Sequence, residues 1–236
     1  LEVLGRKFLK IQKKRKKKRN EIPPPKKMLQ KQGFWQKEKK APLFVMENGF
    51  LEKSGDEVFK RAFKWFEISE AATTPKTIST TSMEPIEDSK IPRIVIKDVE
   101  RTFIDEGNRK ELSRFLTRLN NEFGDYSQGL GFVASFVSLF LDESRAMTVV
   151  RVANESLPGY WKHEAIGFAT DAYVFNHLLE IRNPQLARHL SSLFVLPEMF
   201  AQKWFTNLCV HVLPFENVFS VFDAFFSPFG SSSSSS

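Results

Sequence analysis

Apolar residues recur at helical spacing from about residue 56 onward, and the segment before it carries no such rhythm. Asp56 precedes Val58, Ala62, Trp65 and Phe66, which fall on one helical face, so a first helix is predicted from there with Asp56 as its cap. Residues 71–92, rich in Thr, Ser and Pro, read as a loop. Residues 95–102 are predicted helical, and Leu112, Phe115, Leu116, Leu119 and Phe123 then follow the i, i+3, i+4, i+7, i+11 pattern of an amphipathic helix that Gly124-Asp125 breaks. The stretch 128–141 is apolar nearly all round, which predicts a buried helix. Further helices are predicted over 171–181, 185–194 and 198–212, with Pro184 and Pro197 placed where helices begin. No alternating run of convincing strand length occurs, and the predicted fold class is all-α.

Composition changes this picture at one end. The chain has 236 residues, 24 of them Phe, and a net charge of +7. Residues 1–41 hold 16 Lys/Arg against 3 Asp/Glu, leaving 19 against 25 for the rest. The chain therefore divides into a basic arm (1–42), a mildly acidic helical body (43–230) and a tail of six serines (231–236). The run from Lys13 to Arg19, followed by Pro23-Pro24-Pro25, is expected to be disordered. Three readings of the arm stand side by side: a solvated tail, a nuclear-import or nucleic-acid patch, or an attachment to an anionic membrane surface. Its aromatics, Phe8, Phe34 and Trp35, are too sparse for base stacking, so nucleic acid is the less favoured partner.

The single cysteine, Cys209, excludes an internal disulfide framework and fits a reducing compartment; it is expected to be buried and inert. The longest uncharged apolar stretch, 129–141, has 13 residues, short of the roughly 20 that cross a bilayer. The four histidines (His163, His177, His189, His211) form no H-E-x-x-H or paired His/Cys spacing, and no G-x-x-x-x-G-K-[ST] loop is present. Neither a resident metal nor direct nucleotide binding is expected. A chain that opens with Leu and closes on Ser231 to Ser236 reads as a fragment or an abnormal gene model.

Two short strings carry chemistry. Val95-x-x-Asp98-x-x-Arg101-Thr102-Phe103 resembles the I-x-x-D-x-x-R-T-F motif of the TBC domain, the family of GTPase-activating proteins for Rab GTPases, and Tyr126-Ser127-Gln128-Gly129 resembles its Y-x-Q-G motif. Arg61 and Trp65 keep the family's R-x-x-x-W spacing, while Pro184 to Leu190, Trp204-Phe205 and Val221-Phe222-Asp223 resemble its P-x-L-x-x-H-L, W-F and (I/V)-W-D segments. The resemblance covers roughly residues 43–230. It implies a multi-helical domain that activates a Rab-family small GTPase in trans, with Arg101 as arginine finger and Gln128 as glutamine finger. GTP and Mg would then belong to the partner GTPase, and the chain would carry no cofactor and be no enzyme by itself.

Both finger assignments have plainer alternatives. Asp98 and Arg101, three residues apart on a helix, also make an ordinary surface ion pair worth a few tenths of a kcal/mol. Gln128 is equally a polar residue in the first turn of a helix. In supporting roles, Asp98 would orient the guanidinium, with Thr102 as a further supporting residue of the motif, and Tyr126 and Gly129 would shape the loop presenting Gln128, with Gly129 permitting close approach of a partner backbone. Trp65, Trp204, Phe205 and Phe222 are assigned to packing, and His189 to a position flanking helix packing.

The chain departs from the family pattern at Ile104, where proline commonly follows R-T-F, at Ser220, where an arginine commonly stands, and at Phe222, where the motif has tryptophan. TBC domains also continue through helices beyond the W-D segment. The resemblance therefore implies that the C-terminal helices are missing here, and that segments such as 202–212 expose apolar surface. Against the activator stands a second expectation, a catalytically inactive TBC scaffold that binds a GTPase or another protein; a third is a nuclear protein led by its basic arm. A Rab regulator is expected in the cytoplasm, peripherally on endomembranes, with nuclear import through the arm as the other destination.

Overall fold

The computed structural model describes residues 56–73, 86–87, 90–103 and 106–230, with residues 229 and 230 described by backbone alone. The basic arm, the serine tail, Ile104 and most of the 71–92 loop lie outside the described residues. Those described form nine α-helices and no strand: α1 (Glu57–Ala72), α2 (Arg93–Thr102), α3 (Glu106–Phe123), α4 (Gln128–Ser138), α5 (Glu143–Ser156), α6 (Ile166–Arg182), α7 (Pro184–Ser192), α8 (Pro197–Phe205) and α9 (Phe215–Gly230). The all-α expectation holds. No described helix is long and apolar enough to cross a membrane.

The centre is α4, buried over Leu130, Gly131 and Val133 to Ser138. Its two buried hydroxyls stay within the helix, Ser135 donating to the Gly131 carbonyl and Ser138 to that of Ser135, so a helix apolar all round hides no unsatisfied hydroxyl there. The Phe136 ring lies among Trp65, Phe140, Phe215, Phe219 and Phe222, with centroids 4.9 to 6.2 Å apart. Phe222 thus fills the family's tryptophan position with a smaller ring that still packs against both Trp65 and Phe136. α1 packs on α9 and α5, α4 on α5, α3 and α2, and α6 on α7 and α8. Arg151 of α5 grips Glu122 of α3 through two bonds of 2.5 and 3.0 Å, a buried bidentate pair.

The structure corrects several expectations. Asp56 does stand at the N-cap of α1, but its side chain makes no capping bond. α5 and α9 are additional helices. α9 buries Phe215, Val218, Phe219, Phe222 and Phe226 at the helical i, i+3, i+4, i+7, i+11 spacing, whereas the sequence drew attention only to its Val221-Phe222-Asp223 motif. The helix expected over 198–212 stops at Phe205, because Leu208 and Cys209 take positive φ (46° and 60°), a conformation that ends a right-handed helix. Cys209 is half-buried, and burial pushes its thiol pKa up. Trp204 is 38% exposed although it packs edge-on to Phe175, and His189 is exposed on α7, where only Ala187 is buried. Apolar exposure reaches well beyond 202–212: Tyr173, Val174, Leu178 and Ile181 of α6, with Phe194 and Met199, all face outward.

Candidate functional site

Arg101 from α2 and Gln128 from the start of α4 meet at the carboxylate of Asp98, also on α2. Asp98 sits in the middle of α2, whose buried positions Val95, Val99 and Thr102 turn inward and carry Asp98 in with them. Three residues on, Arg101 faces solvent, its side chain 63% exposed, with Nη1 3.7 Å from Asp98 Oδ1. Thr102 does not reach the guanidinium; its hydroxyl donates to the Asp98 carbonyl at 2.7 Å and closes the last turn of α2. Asp98, the residue expected to orient Arg101, is the one that touches it.

Tyr126 and Gln128 arrive from the segment joining α3 to α4. The Tyr126 hydroxyl donates to Asp98 Oδ2 at 3.0 Å, and Gln128 Nε2 donates to Asp98 Oδ1 at 3.3 Å. Tyr126 therefore does more than shape a loop: it holds the carboxylate that the other two residues share. Burial, then the Asp98 charge and the hydrogen bond to it, push the phenol pKa well above its ordinary value, so Tyr126 remains a donor. Burial raises the Asp98 pKa, opposed by the Tyr126 hydrogen bond, the Arg101 charge and the Gln128 amide. The result is a largely buried carboxylate with three partners, two of which present exposed donors to solvent.

Two glycines make this approach feasible. A Cβ on Gly129 would stand 2.8 Å from Thr206 atoms, so Gly129 is fitted to the chain's own Thr206 as well as lying beside Gln128. A Cβ on Gly131 would stand 2.6 Å from the Tyr126 hydroxyl. Neither Gly131 nor Thr206 was singled out from the sequence; the Gly-x-Gly spacing was a signal for the first, and nothing local marks the second. Thr206 is fixed in turn, its carbonyl accepting from the Trp161 indole at 2.8 Å and its hydroxyl donating to the Gln202 carbonyl at 2.8 Å.

Comparison with known proteins places the chain in a family. The Rab-GTPase-TBC domain family matches residues 58–234. Growth hormone-regulated TBC protein 1 from Xenopus tropicalis is 27% identical over 150 residues, covering 58% of this chain and 44% of that protein. Its Homo sapiens counterpart is 27% identical over 142 residues, 55% of this chain and 42% of that protein. Carabin from Mus musculus is 33% identical over 103 residues, 43% of this chain and 23% of that protein. The chain thus spans less than half the length of these relatives. With the family matched over most of its length, an all-α body, and the motif residues gathered at one carboxylate, the chain belongs to the Rab-GTPase-TBC domain family.

Proposed function

We propose that this chain is a GTPase-activating protein for a Rab-family small GTPase, with Arg101 as arginine finger and Gln128 as glutamine finger. The observation that carries the reading is the convergence on Asp98: two exposed donors, 27 residues apart in sequence, share Oδ1 at 3.7 and 3.3 Å. Accelerating GTP hydrolysis takes two things, positive charge on the transferring phosphoryl group and a water held in line. A guanidinium supplies the first, and an amide that donates and accepts supplies the second. GTP and Mg belong to the partner; Tyr126 holds the Asp98 carboxylate, which in turn bonds Gln128 and lies beside Arg101, so both fingers start from one place before the partner arrives.

Single-turnover GTP hydrolysis on a panel of Rabs, with wild type, Arg101→Ala and Gln128→Ala, tests this. Wild type should accelerate at least one Rab, and Arg101→Ala should remove on the order of 10³ to 10⁵ of that acceleration. If Rabs bind and none is accelerated, the activator reading fails and the inactive scaffold replaces it. Liposomes of anionic lipid, with and without residues 1–42, test the arm as a membrane attachment; equal binding by both chains refutes it.

A further inference from the structure

Arg101 projects from the last turn of α2, where backbone carbonyls run out of partners within the helix. Some are satisfied locally: the Phe103 N–H donates to the Val99 carbonyl at 3.1 Å, and the Thr102 hydroxyl to that of Asp98 at 2.7 Å. The carbonyls of Glu100 and Phe103, which flank Arg101, are taken by Arg109 from the first turns of α3. Its Nε donates to the Phe103 carbonyl at 2.6 Å and its Nη2 to the Glu100 carbonyl at 3.2 Å. One planar fork therefore spans the residue that carries the proposed finger. Its charge also sits at the negative end of the helix dipole.

Among the described residues, little else fixes the direction of the Arg101 side chain. Its guanidinium is mostly exposed and lies 3.7 Å from a single carboxylate oxygen, a contact too loose to set a long side chain by itself. Helix ends fray, and displacement of a catalytic group by about 1 Å costs on the order of 10²-fold in rate. We propose that Arg109 is a positioning residue for Arg101: it staples the end of α2 to α3 and fixes the backbone from which the finger projects. The proposal rests on the GTPase-activating reading above. Lysine, with one compact ammonium, does not reproduce a two-carbonyl grip.

The test compares wild type, Arg109→Ala, Arg109→Lys and Arg101→Ala on the Rab that wild type accelerates best. Single-turnover hydrolysis at saturating activator is measured, together with affinity for that Rab carrying either a non-hydrolysable GTP analogue or GDP with aluminium fluoride. A positioning role predicts a loss of about 10- to 100-fold in saturated rate for Arg109→Ala, partial recovery in Arg109→Lys, and weakened binding confined to the aluminium fluoride state, as for Arg101→Ala. Equal weakening of both nucleotide states, or an unchanged saturated rate, overturns the proposal while the activator reading stands. Should Arg109→Ala not fold, Arg109→Lys decides by the same comparison. No acceleration of any Rab by wild type overturns the activator reading itself, and this proposal with it.

Discussion

The indole N–H of Trp65 donates to Oδ1 of Asp223 at 2.7 Å, although 158 residues separate them. Arg61 takes the other oxygen through Nε at 2.9 Å and Nη2 at 2.6 Å. This clasp ties α1 to α9 over the Trp65 ring, which is 1% exposed and packs on Phe219 and Phe222. Asp223→Ala leaves a buried indole N–H unpaired and strips Arg61 of its anion. The expected cost is about 2 kcal/mol, since hydrogen bonds to charged groups contribute roughly 1.5 to 3. In a domain of this size that lowers Tm by about 4 to 8 °C. A thermal melt of Asp223→Ala that overlays wild type would show the clasp to be idle.

Gly129→Ala should destabilise, against the normal gain of about 1 kcal/mol when Ala replaces Gly in a helix. The new Cβ meets Thr206 at 2.8 Å, and Thr206 is held by Trp161 and Gln202 and has little freedom to yield. Overpacking of this kind costs about 1 to 3 kcal/mol. Chemical denaturation gives the sign directly, and a more stable variant would mean that the α4 and α8 ends slide apart freely.

Asp98 sets a pH dependence of stability. Burial raises its pKa above the ordinary 3.8, so between that value and the folded pKa the native state holds more protons than the unfolded chain. Stability from this group is therefore greatest at low pH, falls as pH rises through that window and is level above it. Asp98→Asn removes the effect. The stability of Asp98→Asn relative to wild type should rise with pH across the acid range and then plateau. A difference that falls over the same range would mean the carboxylate is stabilised in the fold rather than burdened by it.

Phe194 ends α7 in a conformation that suits glycine. Its φ is 56°, its N–H donates to the Ser191 carbonyl at 3.0 Å, and the next N–H, of Val195, reaches back to Leu190 at 3.0 Å. That is the Schellman closure, in which the left-handed position is usually glycine. The Phe194 ring is 88% exposed, so little packing offsets the backbone strain of roughly 1 to 2 kcal/mol. Phe194→Gly should raise Tm by a few degrees, and an unchanged or lower Tm would show that the strain is absorbed elsewhere.

Helical periodicity determined most of the architecture, because an amphipathic face repeats in sequence whatever it later packs against. Val58, Ala62, Trp65 and Phe66, and likewise Leu112 to Leu119, are buried as their spacing predicts. The break after Phe205 was not legible: apolar residues continue to Val212, and what stops the helix is a pair of positive-φ residues, Leu208 and Cys209, neither of a type that announces such a turn. Motif spacing likewise named Asp98, Arg101 and Gln128 but left open an ion pair and a first-turn glutamine. Local sequence fixes which residues share a helix face, and that was enough to pair Asp98 with Arg101. Only tertiary packing decided that α4 begins against α2, bringing Tyr126 and Gln128 onto the same carboxylate. The same packing set Asp223 against Trp65, Thr206 behind Gly129 and Arg109 across the end of α2, because such contacts between separate elements have no period along the chain.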